Sequence, residues 1–426
     1  MIKNLVAGVY FSTDSKPLEA QIKRRYKDFI VEEITKEKEI CEVNYFLEEG
    51  KEKQKLVIPE RPAGKNYIHF NLEKINMDVA LTLRNLARKT FVSRKRFGYA
   101  GIKDKRAISC QKMSFFVKDE IDIERLANAV PNRMNLSNAV WAKDTLDLGA
   151  LFGNRFTITL RDIGQEEKEI KEIIEDCFKQ MNDKGVPNYF GMQRFGGTRK
   201  VSHLIGKELI LGNIENAVML FLTYTGDFER EEFKRVRTEL EETRDFPKAV
   251  KEFPAELFLE KAVLDFLVKR PNDFENAFRT IPKNLRYFFT HAYQSYLFNK
   301  IIDKRIEDGI GLGLQEGERE ENGVPLGLLP GYESRFSEGI IGKIEKKVMK
   351  EEEIELEQFK MDLLPECSSR GSLKTIVLKP FDFKLIEISK DEEYENKLKA
   401  IIKFSLTKGN YATTVLREVL KQQEVM

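Results

Sequence analysis

Hydrophobic and polar residues alternate along several segments, as they do in strands that bury one face. The alternation is clearest in three segments: 28–34, 67–74 and 154–163. Two other segments have the 3.6-residue spacing of amphipathic helices: 78–90 and 166–181. Asp78 precedes the first of these helices and is a suitable N-cap, with an inner apolar stripe at Val79, Leu83, Leu86 and Ala87.

The order of strand-like and helical blocks predicts a discontinuous domain. Residues 1–187 mix strands and helices, and residues 373–426 return to strands before a closing helix. Between them, residues 188–372 are mostly helical and highly charged. A helical block between two strand-bearing blocks is typical of an inserted domain. We therefore predict one domain built from 1–187 and 373–426, and an insertion spanning 188–372.

Composition restricts the class of protein. The chain has 426 residues, 41% hydrophobic and 33% charged, so it can bury a core and remain soluble. It contains no apolar run of about 18 residues, as a membrane-spanning helix requires, and no signal-peptide pattern. Its cysteines and histidines do not form the spacing of a zinc site or a disulfide framework: Cys41, Cys110, Cys177, Cys367, His69, His203 and His291. We expect a reduced, cytoplasmic protein without a metal site or a membrane-spanning helix.

Charge is unevenly distributed although the net charge is only +2. Residues 84–112 contain ten basic residues and a single acid, Asp104. Mixed-charge segments such as 229–245 indicate solvated helix faces. A strongly basic segment inside a nearly neutral chain instead indicates a surface that binds a polyanion.

Asp104 is the first candidate for chemistry. It lies in YAGIKDKRAISCQ (99–111), where small residues allow a polymer to approach the backbone. The neighbouring cations Lys103, Lys105 and Arg106 stabilise a negative charge on its carboxylate. A nucleophile or charge stabiliser would have this environment, and so would an aspartate that only forms ion pairs in a turn.

Two further segments combine aromatic and polar side chains. GVPNYFGMQRFGGTRK (185–200) interleaves rings with amides and basic groups, which suits unpaired bases and phosphates but equally a packed aromatic junction. THAYQSYLFNK (290–300) predicts a helix whose polar groups are either functional or buried and hydrogen-bonded. Neither contains a phosphate-binding loop or a catalytic triad.

Taken together and in order, these segments resemble the TruD family of tRNA pseudouridine synthases. The residues that carry the resemblance are KRRYKDFIVEE (23–33), FGYAGIKDKRAISCQ (97–111), LGALFGNRFTITLRD (148–162), VPNYFGMQRFG (186–196), HAYQSYLFN (291–299) and GNYATTVLRE (409–418). The match extends from about residue 20 to the C-terminus. It implies an α+β catalytic domain with a mainly antiparallel sheet, and a family-specific inserted helix-rich α/β domain.

The resemblance also implies roles for individual residues. Asp104 corresponds to the catalytic aspartate, and the implied substrate-binding residues are Phe29, Asn154, Phe156, Tyr411, Lys23 and Arg161. Weaker candidates for contacts with the RNA backbone are Arg94, Lys95, Arg96, Lys103, Arg106 and Arg194. Alternation alone places Phe156 in the core with Ile158 and Leu160, whereas the resemblance places it against the flipped base. The chain departs from the family pattern in the RYK before Asp28 and in Tyr411, where phenylalanine is common.

The implied activity is isomerisation of uridine to pseudouridine in tRNA, with uridine 13 of the D arm as the favoured target. No cofactor is implied, because substrate and product are isomers. The partner is the RNA substrate, and no obligate protein partner is implied. A non-catalytic RNA-binding protein or chaperone with the same basic surface is the alternative, and a DNA-acting enzyme is disfavoured only by the resemblance.

Overall fold

The computed structural model describes residues 8–48, 50, 52–129 and 131–422. Its strands are β1 (Phe29–Thr35), β2 (Tyr67–Ile75), β3 (Phe97–Tyr99), β4 (Ile108–Phe116), β5 (Met134–Ala142), β6 (Leu151–Ile163), β7 (Val186–Pro187), β8 (Glu320–Glu321), β9 (Val324–Leu329), β10 (Ser372–Thr375), β11 (Val377–Leu378), β12 (Phe381–Lys390) and β13 (Leu398–Thr407). Its helices are α1 (Val79–Thr90), α2 (Glu120–Ala127), α3 (Glu167–Lys184), α4 (Ser202–Ile210), α5 (Ile214–Thr223), α6 (Glu231–Thr243), α7 (Phe246–Glu252), α8 (Phe258–Lys269), α9 (Phe274–Arg279), α10 (Lys283–Glu307), α11 (Gly339–Glu351) and α12 (Ala412–Leu420).

The chain forms two compact units. One comprises Thr13–Asp183 and Lys379–Met426, and we call it the sheet unit because it contains the largest sheet. The other comprises Met1–Ser12 and Lys184–Leu378, and we call it the helical unit because it contains α4 to α11. The sheet unit is thus built from two separate stretches of sequence.

The sheet of the sheet unit has eight strands, in the order β12-β13-β6-β1-β4-β2-β5, with β3 paired to β4. The neighbouring strands are antiparallel except β1 and β4, which are parallel and align Ile30 with Ile108. This architecture confirms the predicted α+β class with a mainly antiparallel sheet. A parallel pair cannot be joined by a tight hairpin, so a long crossover connects β1 to β4.

Helices cover one face of this sheet at both ends. Residues paired across neighbouring strands point to the same face, so Phe156, opposite Val31 and Phe404, shares its face with them. Phe178 of α3 lies 5.6 Å from Phe404 on this face. Nearer β5, Leu86 of α1 joins the same cluster as the strand residues Phe70, Leu72 and Met113. The loop between β3 and β4 forms hydrogen bonds with side chains on this face, those of Glu33, Lys74 and Gln111.

Capping and periodicity explain α1 and α3. The Asp78 side chain accepts a hydrogen bond from the amide of Leu81, which confirms the predicted N-cap. Val79 and Leu86 are buried, and Leu83 and Ala87 pack against the same cluster while partly exposed. In α3 the whole predicted apolar stripe is buried: Ile170, Ile173, Ile174, Cys177 and Met181.

The helical unit surrounds α10, the 25-residue helix that carries the sequence HAYQSYLFN. Its core includes side chains of every helix from α4 to α11. A small antiparallel sheet, in the order β10-β9-β8, lies in the same unit. No helix within the described ranges is long and apolar enough to cross a membrane.

Candidate active site

Asp104 lies in the irregular segment between β3 and β4, and its side chain is 40% exposed. Its Oδ1 atom is 3.4 Å from the Nζ atom of Lys23, whose side chain is only 13% exposed. The Lys23 ammonium also lies 4.1 Å from the centre of the Phe29 ring. An accessible carboxylate is therefore held beside a largely buried cation, which is a suitable arrangement for a reactive group rather than a solvated one.

Buried polar contacts hold the backbone around Asp104. The Lys74 ammonium donates to the carbonyl of Asp104 at 3.1 Å and to that of Met77 at 2.7 Å. The Lys103 ammonium donates to Glu33 at 2.6 Å, and both side chains are 1% exposed. The Gln111 amide donates to the carbonyl of Gly101 at 3.1 Å. These contacts fix the loop against β1, β2 and β4 and therefore fix where the carboxylate can point.

Lys74 is an unusual member of this set because it is fully buried on a strand. Burial lowers the pKa of its ammonium to about 8, and the nearby Asp104 charge opposes that change. Lys74 and Glu33 were not among the residues predicted from the sequence. The sequence does contain a signal for Lys74: it follows Phe70 and Leu72 at alternate positions of β2, so it lies on their buried face.

Aromatic rings pack together on the same face of the sheet as Glu33 and Lys74. The Phe29 and Phe156 rings are 6.1 Å apart in an edge-to-face arrangement, and Phe156 stacks on Phe404 at 5.6 Å. Phe29 is 1% exposed and Phe156 is 4% exposed. Phe156 therefore contributes to the core in the free protein, as its alternation with Ile158 and Leu160 predicts. Any contact with a base requires its ring to become accessible.

Asn154 lies on β6, directly opposite Glu33 of β1 and Leu406 of β13. It is on the same face as Phe156, two residues away. Its Oδ1 atom is buried and has no hydrogen-bond partner in the described structure. A hydrogen-bond donor on a bound ligand would satisfy this acceptor.

Two other predicted substrate-binding residues lie in different surroundings. Arg161 is 3% exposed and donates to three carboxylates, those of Asp28, Asp391 and Glu392, at 2.9, 2.7 and 2.9 Å. This arrangement gives Arg161 a structural role, and we leave it out of the proposed substrate pocket. Tyr411 precedes α12 and is 51% exposed, so its ring is accessible to a partner.

The basic residues also divide into exposed and engaged groups. Arg94, Lys95 and Arg106 are exposed, as contacts with phosphates require. Arg96 instead forms an ion pair with the buried Asp122, and its Nε donates to the carbonyl of Phe116 at 3.0 Å. Lys103 is buried against Glu33. Arg96 and Lys103 therefore stabilise the fold, and their position does not favour contact with an RNA backbone.

The aromatic segment at 185–200 belongs to the helical unit and is largely packed. Tyr189, Phe190 and Phe195 are buried at 3%, 7% and 0% exposure in one cluster with Phe298. Asn299 exchanges two hydrogen bonds with the backbone of Phe190. Of the two interpretations of this segment, the packed aromatic junction therefore fits these rings, and a surface for unpaired bases does not. Arg194 is partly exposed, and its Nε donates to the Ser295 hydroxyl at 2.9 Å.

Metal ligands are not assembled anywhere in the described ranges. No group of three or more histidine, cysteine, aspartate or glutamate residues there could hold an ion. The four cysteines are buried free thiols.

Comparison with known proteins gives consistent results over the whole chain. The family model described as tRNA pseudouridine synthase D (TruD) matches residues 6–319 and 313–419. A protein from Methanosarcina acetivorans is 36% identical over 96% of this chain and 95% of its own length. One from Methanocaldococcus jannaschii is 35% identical over 95% of this chain and 96% of its own. Both are named as probable tRNA pseudouridine synthases D.

The fold agrees as well. A crystal structure from Methanosarcina mazei, described as tRNA pseudouridine synthase D, superposes with a TM-score of 0.79 at 33% identity and covers 99% of both chains. Fold and family match together place the chain among the pseudouridine synthases, which are RNA-modifying isomerases. Within that class, the chain belongs to the TruD family.

Proposed function

We propose that this protein isomerises uridine to pseudouridine in tRNA, with uridine 13 of the D arm as its target and Asp104 as the catalytic carboxylate. The observation that carries the proposal is the geometry of Asp104: its side chain is 40% exposed, whereas the lysines that contact it or its backbone are mostly or fully buried. A site built in this way keeps one carboxylate accessible to a substrate at a defined position.

The reaction separates the uracil from its ribose, rotates the base and joins carbon 5 to the sugar. Asp104 either attacks the anomeric carbon or removes the 2′ proton, and both routes need one positioned carboxylate. Lys23 orients that carboxylate through the 3.4 Å ion pair. Lys74 acts one step further away, because it holds the carbonyl of Asp104 and not its side chain.

The base must leave its stack to reach the carboxylate, at a cost of a few kcal/mol. Stacking on an aromatic side chain offsets roughly 1–3 kcal/mol of this cost. We propose that Phe156 supplies this contact once the RNA has displaced what covers it. The unsatisfied Oδ1 of Asn154 then accepts a hydrogen bond from the imide N–H of the uracil.

Exposed side chains near the site would guide the RNA. Arg94, Lys95 and Arg106 are exposed in the basic segment around Asp104, and each phosphate that such a residue neutralises adds to affinity and to its salt dependence. Tyr411 offers a half-exposed ring for a further contact with the substrate.

The proposal is tested on an unmodified tRNA transcript incubated with the purified protein. Carbodiimide-stop sequencing should show one new pseudouridine at position 13, and a transcript with cytidine at that position should show none. Modification at another uridine would reject the target while retaining the activity. Tight tRNA binding without any pseudouridine would indicate a non-catalytic RNA-binding protein.

A further inference from the structure

The helical unit contains a cavity that the chemistry at Asp104 does not use. It has a volume of about 470 Å³, and its lining combines two arginines with aromatic rings and hydroxyls: Arg194, Tyr287, His291, Tyr332, Arg370 and Ser372. None of the described residues that line it is acidic. Its volume lies in the range of sites that bind small organic ligands, about 300–1,000 Å³.

Arg194 is held rigidly at this cavity. Its Nε donates to the hydroxyl of Ser295, which itself donates to the carbonyl of His291 at 2.7 Å. The guanidinium also lies over the rings of Phe190 and Phe288, at 5.3 and 5.6 Å. A guanidinium fixed in this way loses little conformational entropy when it binds an anion.

An aromatic surface lies beside Arg194. Tyr287 and His291 are one turn apart on α10, and their ring centres are 4.0 Å apart. Tyr287 is 37% exposed. Burial, followed by the Arg194 charge, lowers the pKa of His291 to about 4, so its ring is neutral near pH 7. The ring planes are inclined at 60°, so a base can stack on the exposed Tyr287 ring while the imidazole meets its edge without adding charge.

Arg370 supplies a second cation from the segment before β10. Its side chain is 75% exposed, and its nearest acid is Glu333, at 3.6 Å and 55% exposed. An exposed ion pair of this length contributes little and can be replaced by a phosphate. Gly371 fixes the adjacent turn, because its φ of +90° and its close approach to Gly331 leave no room for a side chain.

We propose that this cavity binds one unpaired nucleotide of the RNA substrate. Its phosphate contacts Arg194 and Arg370, and its base stacks on Tyr287 with the inclined His291 ring at its edge. The inference rests on the proposed function in one respect, namely that RNA is the substrate. An aromatic ring beside two guanidinium groups recognises the base and the phosphate of a nucleotide. A free mononucleotide carries the same two groups and could bind in the same way.

A neighbouring cavity favours a polymer over a free nucleotide. It has a volume of about 370 Å³ and shares Arg370, Gly371 and Ser372 with the first cavity. Its lining adds Arg335, Arg319, which lies 3.8 Å from the buried Glu345, and the acid Glu333. A basic lining that continues past one nucleotide is what the next phosphate of a strand would need, and a mononucleotide would not use it.

The test measures the Kd for an unmodified tRNA transcript and the kinetics of pseudouridine formation. Arg370→Ala and Tyr287→Ala should each weaken binding about 10-fold, an effect typical of removing one stacking or phosphate interaction. Tyr287→Phe should bind like the wild type because it retains the ring. The matched control is Arg270→Ala, since Arg270 is 67% exposed in the same unit and does not line the cavity.

KM should rise with Kd in the two weakened variants while kcat stays unchanged, because the nucleotide proposed for this cavity is not the one that reacts. Equal Kd values for Arg370→Ala, Tyr287→Ala and Arg270→Ala, with an active wild type, would overturn the inference and leave the proposed function intact. If the wild type makes no pseudouridine but Arg370→Ala and Tyr287→Ala both bind tRNA more weakly than it does, the inference about the cavity stands and the proposed function is wrong.

Uridine monophosphate separates the two sources of a nucleotide. We expect millimolar concentrations to compete weakly with tRNA in the wild type. If instead it binds the wild type tightly, binds Tyr287→Ala poorly and leaves tRNA binding unaffected, the cavity is a site for a free nucleotide and the assignment to RNA is wrong.

Discussion

Substitutions at Phe156 test two contributions of one ring, one that the structure shows in the core and one that we propose at the flipped base. Phe156 is 4% exposed, stacks on Phe404 at 5.6 Å and meets Phe29 edge-to-face at 6.1 Å. The ring therefore supports the core, and in our proposal it also contacts the flipped base. The alanine variant removes both contributions at once, so its effect must be compared with a variant that removes only one.

The stability loss follows from burial. Truncation of a buried phenylalanine to alanine costs about 3–5 kcal/mol, because apolar transfer energy is forfeited and a cavity remains. For a unit of this size each kcal/mol lowers Tm by about 2–4 °C. Phe156→Ala should therefore melt about 6–20 °C below the wild type. Alternation predicts this loss because it places Phe156 in the core, whereas a residue that only lines the pocket, as the resemblance implies, would lose little stability.

Phe156→Leu is the matched control, because leucine retains most of the apolar volume but offers no flat ring. It should melt within a few degrees of the wild type and still lose roughly 5- to 150-fold in turnover per folded molecule, the equivalent of one stacking interaction of about 1–3 kcal/mol. Full activity in Phe156→Leu would refute the stacking proposal. A wild-type Tm in Phe156→Ala would refute the inference from burial.

Two further variants test the surroundings of Asp104. Burial lowers the pKa of Lys74 to about 8 from 10.5, so the unfolded chain binds this proton more tightly than the folded chain. The free energy of unfolding should then rise between pH 8 and 10.5, by up to about 3 kcal/mol from this group, and Lys74→Met should lack that rise in urea unfolding at the two pH values. A difference between the two proteins that does not change with pH would contradict the buried ammonium. Arg94→Ala combined with Lys95→Ala should lower the slope of log Kd for tRNA against log salt by about 0.7–0.9 for each phosphate that the variant no longer neutralises, and an unchanged slope would show that both side chains face away from the RNA.

Local patterns in the sequence predict the elements of the sheet unit well. Alternation predicts the positions of β1, β2 and β6, but the expectation of a single buried face is wrong for β1 and β2, where runs of consecutive residues are buried. Asp78 predicts the start of α1, because its carboxylate accepts a hydrogen bond from the Leu81 amide, which has no partner within the helix. The resemblance directs attention to Asp104, Asn154 and Phe156.

Side-chain partners depend on contacts between distant parts of the chain, and local patterns do not contain them. Arg96 and Lys103 belong to the same basic run as Arg94. The fold places a carboxylate beside Arg96 and another beside Lys103, whereas Arg94 is exposed. The parallel pairing of β1 with β4 brings Glu33 close to Lys103, although 70 residues separate them. A count of charges therefore predicts a basic surface but overestimates how many of its members can reach a phosphate.

Asp104→Asn tests the central claim most directly. The substitution is nearly isosteric, keeps the loop contacts made by the backbone carbonyl of residue 104 and removes the only acid between residues 84 and 112. Pseudouridine formation at position 13, measured in single-turnover reactions with saturating enzyme, should fall by at least about 10³-fold. The Kd for tRNA should stay equal or improve slightly, because a negative charge has left a basic surface. Turnover close to that of the wild type in Asp104→Asn would contradict the assignment of this carboxylate as the catalytic group.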